Sequence, residues 1–107
     1  MIPIFTNPKM NKLESRYNQR LELLKRADEI VDYRFEGITF KLADDTRYTP
    51  DFLVVLKDCF QLHECKGFWR DDAKVKVKVA QKLFPWFKFI IVRENEGSFI
   101  MEEVKNE

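Results

Sequence analysis

The sequence lacks most of the features that assign a chain to a class at first sight. No apolar run is long enough to cross a membrane, and the first residues have neither the basic flank nor the long apolar region of a signal peptide. Internal repeats and low-complexity linkers are absent, so the 107 residues predict a single domain, 1–107. The formal net charge is only +1, so overall charge favours no partner. We therefore expect a cytoplasmic protein with no membrane partner.

Cysteine is scarce as well. Cys59 and Cys65 have neither the spacing of a zinc site nor nearby partner ligands. Reduced thiols, as in the cytosol, are therefore expected in place of a disulfide.

Apolar periodicity and turn residues predict an α/β fold. An extended N-terminal arm is expected over residues 1–11, followed by a helix over about 12–27. Strands are expected at 31–35, 38–42, 47–56, 60–66 and 87–93, with a last short element at 99–104. A hairpin at Lys57 and Asp58 would join the third and fourth strands. The prediction is a mixed, mainly antiparallel sheet of four to five strands, flanked by helices.

A second helix is predicted from Asp72 to Phe84. Lys74 to Val79 alternates as in a strand, but the apolar run continues to Phe84 and stops at Pro85, which gives it helix length. On this helix, Val75, Val79 and Leu83 would form the apolar side, with Ala80 and Phe84 beside them.

Three ionisable residues stand in the two apolar strands of the predicted hairpin. Strand side chains alternate between faces, so Glu64 and Lys66 point to one side, and His63 and Cys65 to the other. Antiparallel pairing would bring Asp51, at the start of the first strand, opposite the end of the second. Charges in an apolar sheet are costly unless they are paired or bound to metal.

Two interpretations of this cluster remain open. Carboxylate oxygens suit Mg²⁺, which needs only one or two protein carboxylates besides water and substrate phosphate, and a nearby lysine could position or help to deprotonate a water. The alternative is a buried ion pair with no catalytic role.

Basic residues form stripes on both predicted helices. The seven basic residues of the stretch 66–88, Arg70 among them, outnumber its two acidic ones, and Trp69 could contact bases or sugars unless it caps the core. The alternative for the stripes is a solvated helix face. The candidate DNA-binding residues are Lys12, Arg16, Arg20, Trp69, Arg70, Lys74 and Lys78.

Glu14 lies next to the apolar stripe of the first helix, which is formed by Leu13, Tyr17, Leu21 and Leu24. A helix glutamate is usually a solvated surface residue. From the edge of the buried face, however, Glu14 could reach the carboxylates of the sheet.

Three runs of the sequence resemble a known family. They are Asn-Lys-Leu-Glu-Ser-Arg-Tyr, Tyr-Thr-Pro-Asp-Phe-Leu-Val and His-Glu-Cys-Lys-Gly-Phe-Trp-Arg-Asp-Asp-Ala-Lys, and together they cover roughly Asn11 to Val92. They resemble the phage endonuclease I group of Holliday-junction resolvases, within the PD-(D/E)xK nuclease superfamily. The resemblance implies a restriction-endonuclease-like core. It also implies phage origin, with the bacterial host cytoplasm as the location.

The resemblance also implies a set of site residues. Glu14, Asp51, Glu64 and Lys66 match the catalytic residues of the family. Asp51, Glu64, the carbonyl of Cys65 and Glu14 (directly or through water) would bind Mg²⁺, for which Mn²⁺ is the expected substitute. The implied partner is branched DNA, and the implied assembly is a homodimer. In the family the protomers exchange elements, and the crossover would fall at residues 35–47 here.

Three functions therefore remain open. The first is a Mg²⁺-dependent endonuclease acting on branched DNA. The second is a nuclease of the same superfamily with another target, such as a nicking, repair or restriction enzyme. The third is a non-catalytic DNA-binding module of the same fold, which the complete set of four catalytic residues disfavours.

Overall fold

A computed structural model of the chain describes residues 9–67 and 71–105. Residues 71 and 72 are described without their side chains. The structure contains two helices and seven strands in the described part of the chain, so the predicted α/β class is confirmed. They are α1 (Lys12–Arg26), β1 (Asp32–Phe35), β2 (Phe40–Ala43), β3 (Thr46–Tyr48), β4 (Phe52–Val55), β5 (Phe60–Cys65), α2 (Asp71–Leu83), β6 (Lys88–Asn95) and β7 (Ser98–Glu103). Most of the predicted N-terminal arm, with Phe68, Trp69 and Arg70, lies outside the described residues.

Five strands form the main sheet, in the order β1-β4-β5-β6-β7. The pair β5–β6 is parallel and the other three pairs are antiparallel, which confirms the predicted mixed, mainly antiparallel sheet. The backbone N–H of Leu56 donates to the carbonyl of Cys59 across the predicted hairpin turn. A separate antiparallel sheet contains only β2 and β3.

The prediction of one strand over 47–56 was wrong. This stretch is divided between β3 in the small sheet and β4 in the main sheet, and residues 49–51 separate the two. Pro50, which is fully buried, has no N–H to donate to a strand partner and restricts the backbone before it, so the ladder ends there. The break leaves Asp51 as the last residue before β4.

Helix α1 packs on one face of the main sheet through the predicted apolar stripe. Tyr17 and Leu21 are buried against Phe52 and Val54 of β4. A capping box that the sequence analysis had overlooked fixes the start of the helix: the Asn11 side chain accepts from the N–H of Glu14, and the Glu14 carboxylate accepts from the N–H of Asn11.

Helix α2 packs on the other face, and its buried side agrees with the prediction for Ala80 and Phe84 but not for Val75, Val79 and Leu83. Val77 and Ala80 are buried, whereas Val75, Val79 and Leu83 are 58%, 37% and 47% exposed. The helix carries two possible apolar stripes, and the buried one fits against the core formed by the small sheet and β6. The residues of that core are Phe40, Tyr48, Leu62, Val77, Ala80, Phe89 and Ile91.

The main sheet is therefore covered on both faces, which explains its strongly apolar strands. We call these the α1 face and the α2 face, after the helix that packs on each. Residues Leu62 to Cys65 of β5 are all buried and alternate between the two faces, so neighbours in sequence belong to different surroundings. Neither described helix is long and apolar enough to cross a membrane.

Candidate active site

The register of β4 and β5 brings two carboxylates together. Phe52 pairs with His63, so Asp51, one residue earlier, lies across from Glu64. The N–H of Asp51 donates to Oε1 of Glu64 over 3.1 Å, and the N–H of Cys65 donates to Oδ2 of Asp51 over 2.8 Å. Asp51 therefore lies opposite Glu64, as antiparallel pairing of the two strands predicted.

Glu64 is the buried carboxylate of the α2 face. Its Oε1 also accepts from the hydroxyl of Tyr48 over 3.0 Å, and its Oε2 lies 2.9 Å from Nζ of Lys66. The side chain of Glu64 is only 9% exposed, so these bonds replace much of its hydration. The ion pair places Glu64 and Lys66 on the same side of the strand, as the alternation predicted.

The charges around Asp51 repel one another. Burial and the neighbouring Glu64 charge raise the pKa of Asp51 to about 8, and Glu14 raises it further. The hydrogen bond from the Cys65 N–H acts in the opposite direction and lowers this pKa. Glu14 thus lies close enough to Asp51 to affect its protonation, although it also belongs to the capping box. Glu14 and Asp51 interact here within one chain.

Lys66 stays protonated in this arrangement. Burial alone would lower the pKa of Lys66, but the hydrogen bond to Glu64 and the negative charges of Glu64, Asp51 and Glu14 raise it. While it is paired with Glu64, Lys66 is a hydrogen-bond donor with a fixed positive charge.

The α1 face of the same strand carries a neutral network. Nδ1 of His63 lies 2.6 Å from the Tyr17 hydroxyl, and Nε2 lies 2.9 Å from Oε1 of Gln61. Burial lowers the pKa of His63 to about 4, so the ring is neutral at pH 7. Since Oε1 of Gln61 can only accept, Nε2 carries the proton and Nδ1 accepts from Tyr17. The thiol of Cys65 points into this core, and burial raises its pKa.

The predicted DNA-binding residues that the structure describes are not on one surface. Arg16 forms a forked ion pair with Glu94 at 2.6–3.0 Å, while Lys12 and Arg20 are exposed on α1. Lys74 and Lys78 line a groove of about 580 Å³ between α2 and β7, away from Glu64. Trp69 and Arg70 lie outside the described residues.

A smaller cavity, of about 290 Å³, adjoins Glu64 directly. We call it the Glu64 cavity; its lining is Arg47, Tyr48, Thr49, Glu64, Ala73 and Lys76. The sequence analysis selected none of its residues except Glu64. The basic stripe predicted on this helix runs through Lys74 and Lys78 and leaves out Lys76. Arg47 and Tyr48 fall in the predicted strand over 47–56, which gives them no role in a site.

The donor set fits a hard cation in its chemistry. Carboxylate oxygens are the ligands that Mg²⁺ prefers, and a cation would relieve the repulsion that raises the pKa of Asp51. Asp51, Glu64 and the Cys65 carbonyl, with Glu14, are the predicted ligands. Among the side chains that the structure describes, however, no group of three or more His, Cys, Asp or Glu residues has the spacing of a metal site.

No family model matches the chain, and no curated protein is detectably similar to it.

Proposed function

We propose that the chain is a Mg²⁺-dependent DNA endonuclease that hydrolyses phosphodiester bonds. The observation that carries the proposal is the meeting of Asp51, Glu64 and Lys66 at one end of the β4–β5 pair. Like charges are brought together there against their mutual repulsion, which is typical of a site that awaits a cation. The restriction-endonuclease-like core and the preference for branched DNA are part of the proposal and come from the resemblance of the sequence motifs.

In the proposed reaction, water attacks the phosphorus in line with the leaving oxygen. Asp51, Glu64 and the Cys65 carbonyl would hold Mg²⁺, with Glu14 direct or through water. When bound, Mg²⁺ would stabilise negative charge on the phosphate and lower the pKa of a bound water. Lys66 would orient the attacking water by hydrogen bonding and supply positive charge next to the phosphate.

Lys66 provides a test of that role. Lys66→Ala should lower turnover by about 10²–10³-fold, the usual cost of removing one preorganised donor or charge, with little change in DNA affinity. Single-turnover cleavage and binding without divalent cation would be measured on the same DNA. Loss of affinity with normal turnover would assign Lys66 to binding alone.

The proposed enzyme is a homodimer, because symmetric cutting of a branched duplex needs two equivalent sites. Exchange of elements is not needed to complete the four catalytic residues, since Glu14 acts on Asp51 of its own chain. The β2–β3 hairpin, at the position predicted for a crossover, packs on α2 of its own chain.

The chief alternative is a non-catalytic DNA-binding module. It is favoured by the hydrogen bonds of Glu64, both of whose oxygens already have partners in Tyr48, Lys66 and the Asp51 N–H. In that case the Glu64–Lys66 pair is structural.

One cleavage assay separates these functions. The chain would be incubated with four-way, Y-shaped, linear duplex and single-stranded DNA of matched sequence, in Mg²⁺ or in a chelator. We expect Mg²⁺-dependent cleavage that is fastest on the four-way junction. Equal cleavage of linear duplex would indicate a nuclease with another target, binding without cleavage would indicate the binding module, and neither binding nor cleavage would contradict both.

A further inference from the structure

The Glu64 cavity has a composition suited to an anion. Arg47 comes from β3 of the small sheet and Lys76 from α2, so two separate elements each bring one cation to it. The carboxylate in the lining, Glu64, is already paired with Lys66. The cavity therefore has excess positive charge although it adjoins a carboxylate site.

Lys76 is held at the cavity without being neutralised by a carboxylate that the structure describes. Nζ of Lys76 donates to the backbone carbonyl of Arg47 over 3.2 Å, which fixes the ammonium at the cavity but leaves its charge uncompensated. Among the described side chains, neither Arg47 nor Lys76 forms an ion pair with a carboxylate, in contrast to Arg16.

The remaining lining suits a phosphate oxygen. Thr49 contributes a hydroxyl, which shares a 2.7 Å hydrogen bond with that of Thr39. Ala73 belongs to the first turn of α2, the end of a helix that carries partial positive charge. The volume, about 290 Å³, is roughly ten times that of one water in the liquid, so a phosphate group fits together with some water.

We infer that the Glu64 cavity binds one phosphate group of a nucleic-acid strand, through Arg47, Lys76 and the Thr49 hydroxyl. The identity of the strand rests on the proposed nuclease function, but the affinity for phosphate does not. Because Glu64 lines the cavity, a strand held there would present an adjacent phosphodiester to Asp51 and Glu64. The cavity would thereby fix which bond is cut.

The test uses inorganic phosphate and a nucleoside 5′-monophosphate as probes, followed by backbone amide NMR shifts. We expect saturable shifts at Thr49, Ala73 and Lys76 in the wild-type chain. The double variant Arg47→Gln/Lys76→Gln should abolish them, while glutamine at 76 can still donate to the carbonyl of Arg47 and preserve the packing. Its amide spectrum without phosphate would confirm that it is folded.

Arg93→Gln/Lys82→Gln is the matched control, since it likewise removes one arginine from a strand and one lysine from α2, but in the groove next to β7. This control should leave the phosphate shifts unchanged. Shifts that survive Arg47→Gln/Lys76→Gln, that disappear in the control, or that are absent from the wild-type chain would overturn the inference.

DNA binding adds a second measurement. One neutralised phosphate contributes about 0.9 to the slope of log affinity against log salt on duplex DNA. In an Asp51→Asn background, which should not cleave, Arg47→Gln/Lys76→Gln should therefore reduce the slope by about 0.9. Phosphate binding without DNA cleavage would contradict the proposed function but support this inference. Cleavage with an unchanged slope and no phosphate shifts would support the proposed function and contradict this inference.

Discussion

On each of its two faces, strand β5 carries a titratable side chain that is hydrogen-bonded to a tyrosine from another element. On the α1 face, Tyr17 donates to a histidine that is neutral and almost fully buried. On the α2 face, Tyr48 donates to a carboxylate that also pairs with a lysine and lines a cavity. The hydrogen bonds are comparable, 2.6 Å and 3.0 Å, and so is the burial of His63 and Glu64.

The difference lies in charge. The His63 network is neutral and complete, and so needs nothing from outside the chain. At the other face, Asp51 and Glu64 are held together although burial and mutual repulsion oppose ionisation of Asp51. A buried polar group is therefore no sign of a site by itself, whereas a carboxylate that burial and a second carboxylate keep from ionising is typical of one.

Cleavage should show the largest contrast between the faces. Asp51→Asn or Glu64→Gln should reduce Mg²⁺-dependent cleavage below detection and keep or improve DNA binding, because removing a carboxylate lessens repulsion of phosphate. His63→Gln, on the α1 face, should retain cleavage. The assay is cleavage of a four-way junction, with binding measured in chelator. Full activity in both carboxylate variants, or its loss in His63→Gln alone, would break the comparison.

Stability against pH should differ in sign between the faces. The pKa of His63 is about 4 in the folded chain against 6.5 ordinarily, so its contribution is present above pH 6.5 and lost as pH falls toward 4, by about 3 kcal/mol. The pKa of Asp51 is raised from 3.8 to about 8, so stability falls as pH rises between those values. Both effects can be followed by urea unfolding in chelator.

His63→Gln and Asp51→Asn isolate the two contributions. Subtracting each variant's stability curve from that of the wild type should leave differences of opposite slope over pH 4–6.5, above which only the Asp51 difference should continue to change. Parallel difference curves would show that the two faces do not differ in protonation as described.

A smaller contrast is expected when the tyrosine hydroxyls are removed. Tyr17→Phe leaves Nδ1 of His63, a ring that is only 4% exposed, without its donor, which should cost about 1–3 kcal/mol. Tyr48→Phe should cost less, because Oε1 of Glu64 still accepts from the Asp51 N–H. Thermal unfolding at pH 7 compares the two variants, and a greater loss for Tyr48→Phe would reverse the assignment.

The sequence predicted the parts of this arrangement that depend on local alternation. The faces of Glu64 and Lys66, the register that aligns Asp51 with Glu64 and the hairpin before Phe60 all follow from strand geometry and turn residues. Glu14 was selected for its place on the edge of the apolar stripe, and it affects Asp51 in the structure.

The rest depends on packing that local sequence does not determine. Helix α2 has two apolar stripes, and only the small sheet and β6 decide that Val77 is buried and Val79 exposed. That rotation sends Lys78 to the groove beside β7 and Lys76 to the Glu64 cavity. The apolar pattern of residues 47–56 predicts one strand and gives no sign of the small sheet.

Cation binding tests the central claim, that the α2 face of β5 is a cation site and the α1 face is not. Mn²⁺ binding to the DNA-free chain can be followed by electron paramagnetic resonance, a readout independent of cleavage. We predict saturable binding in the wild-type chain and in His63→Gln, and its loss in Asp51→Asn/Glu64→Gln. Equal binding by the carboxylate double variant and the wild type, or no binding by the wild type, would contradict the account.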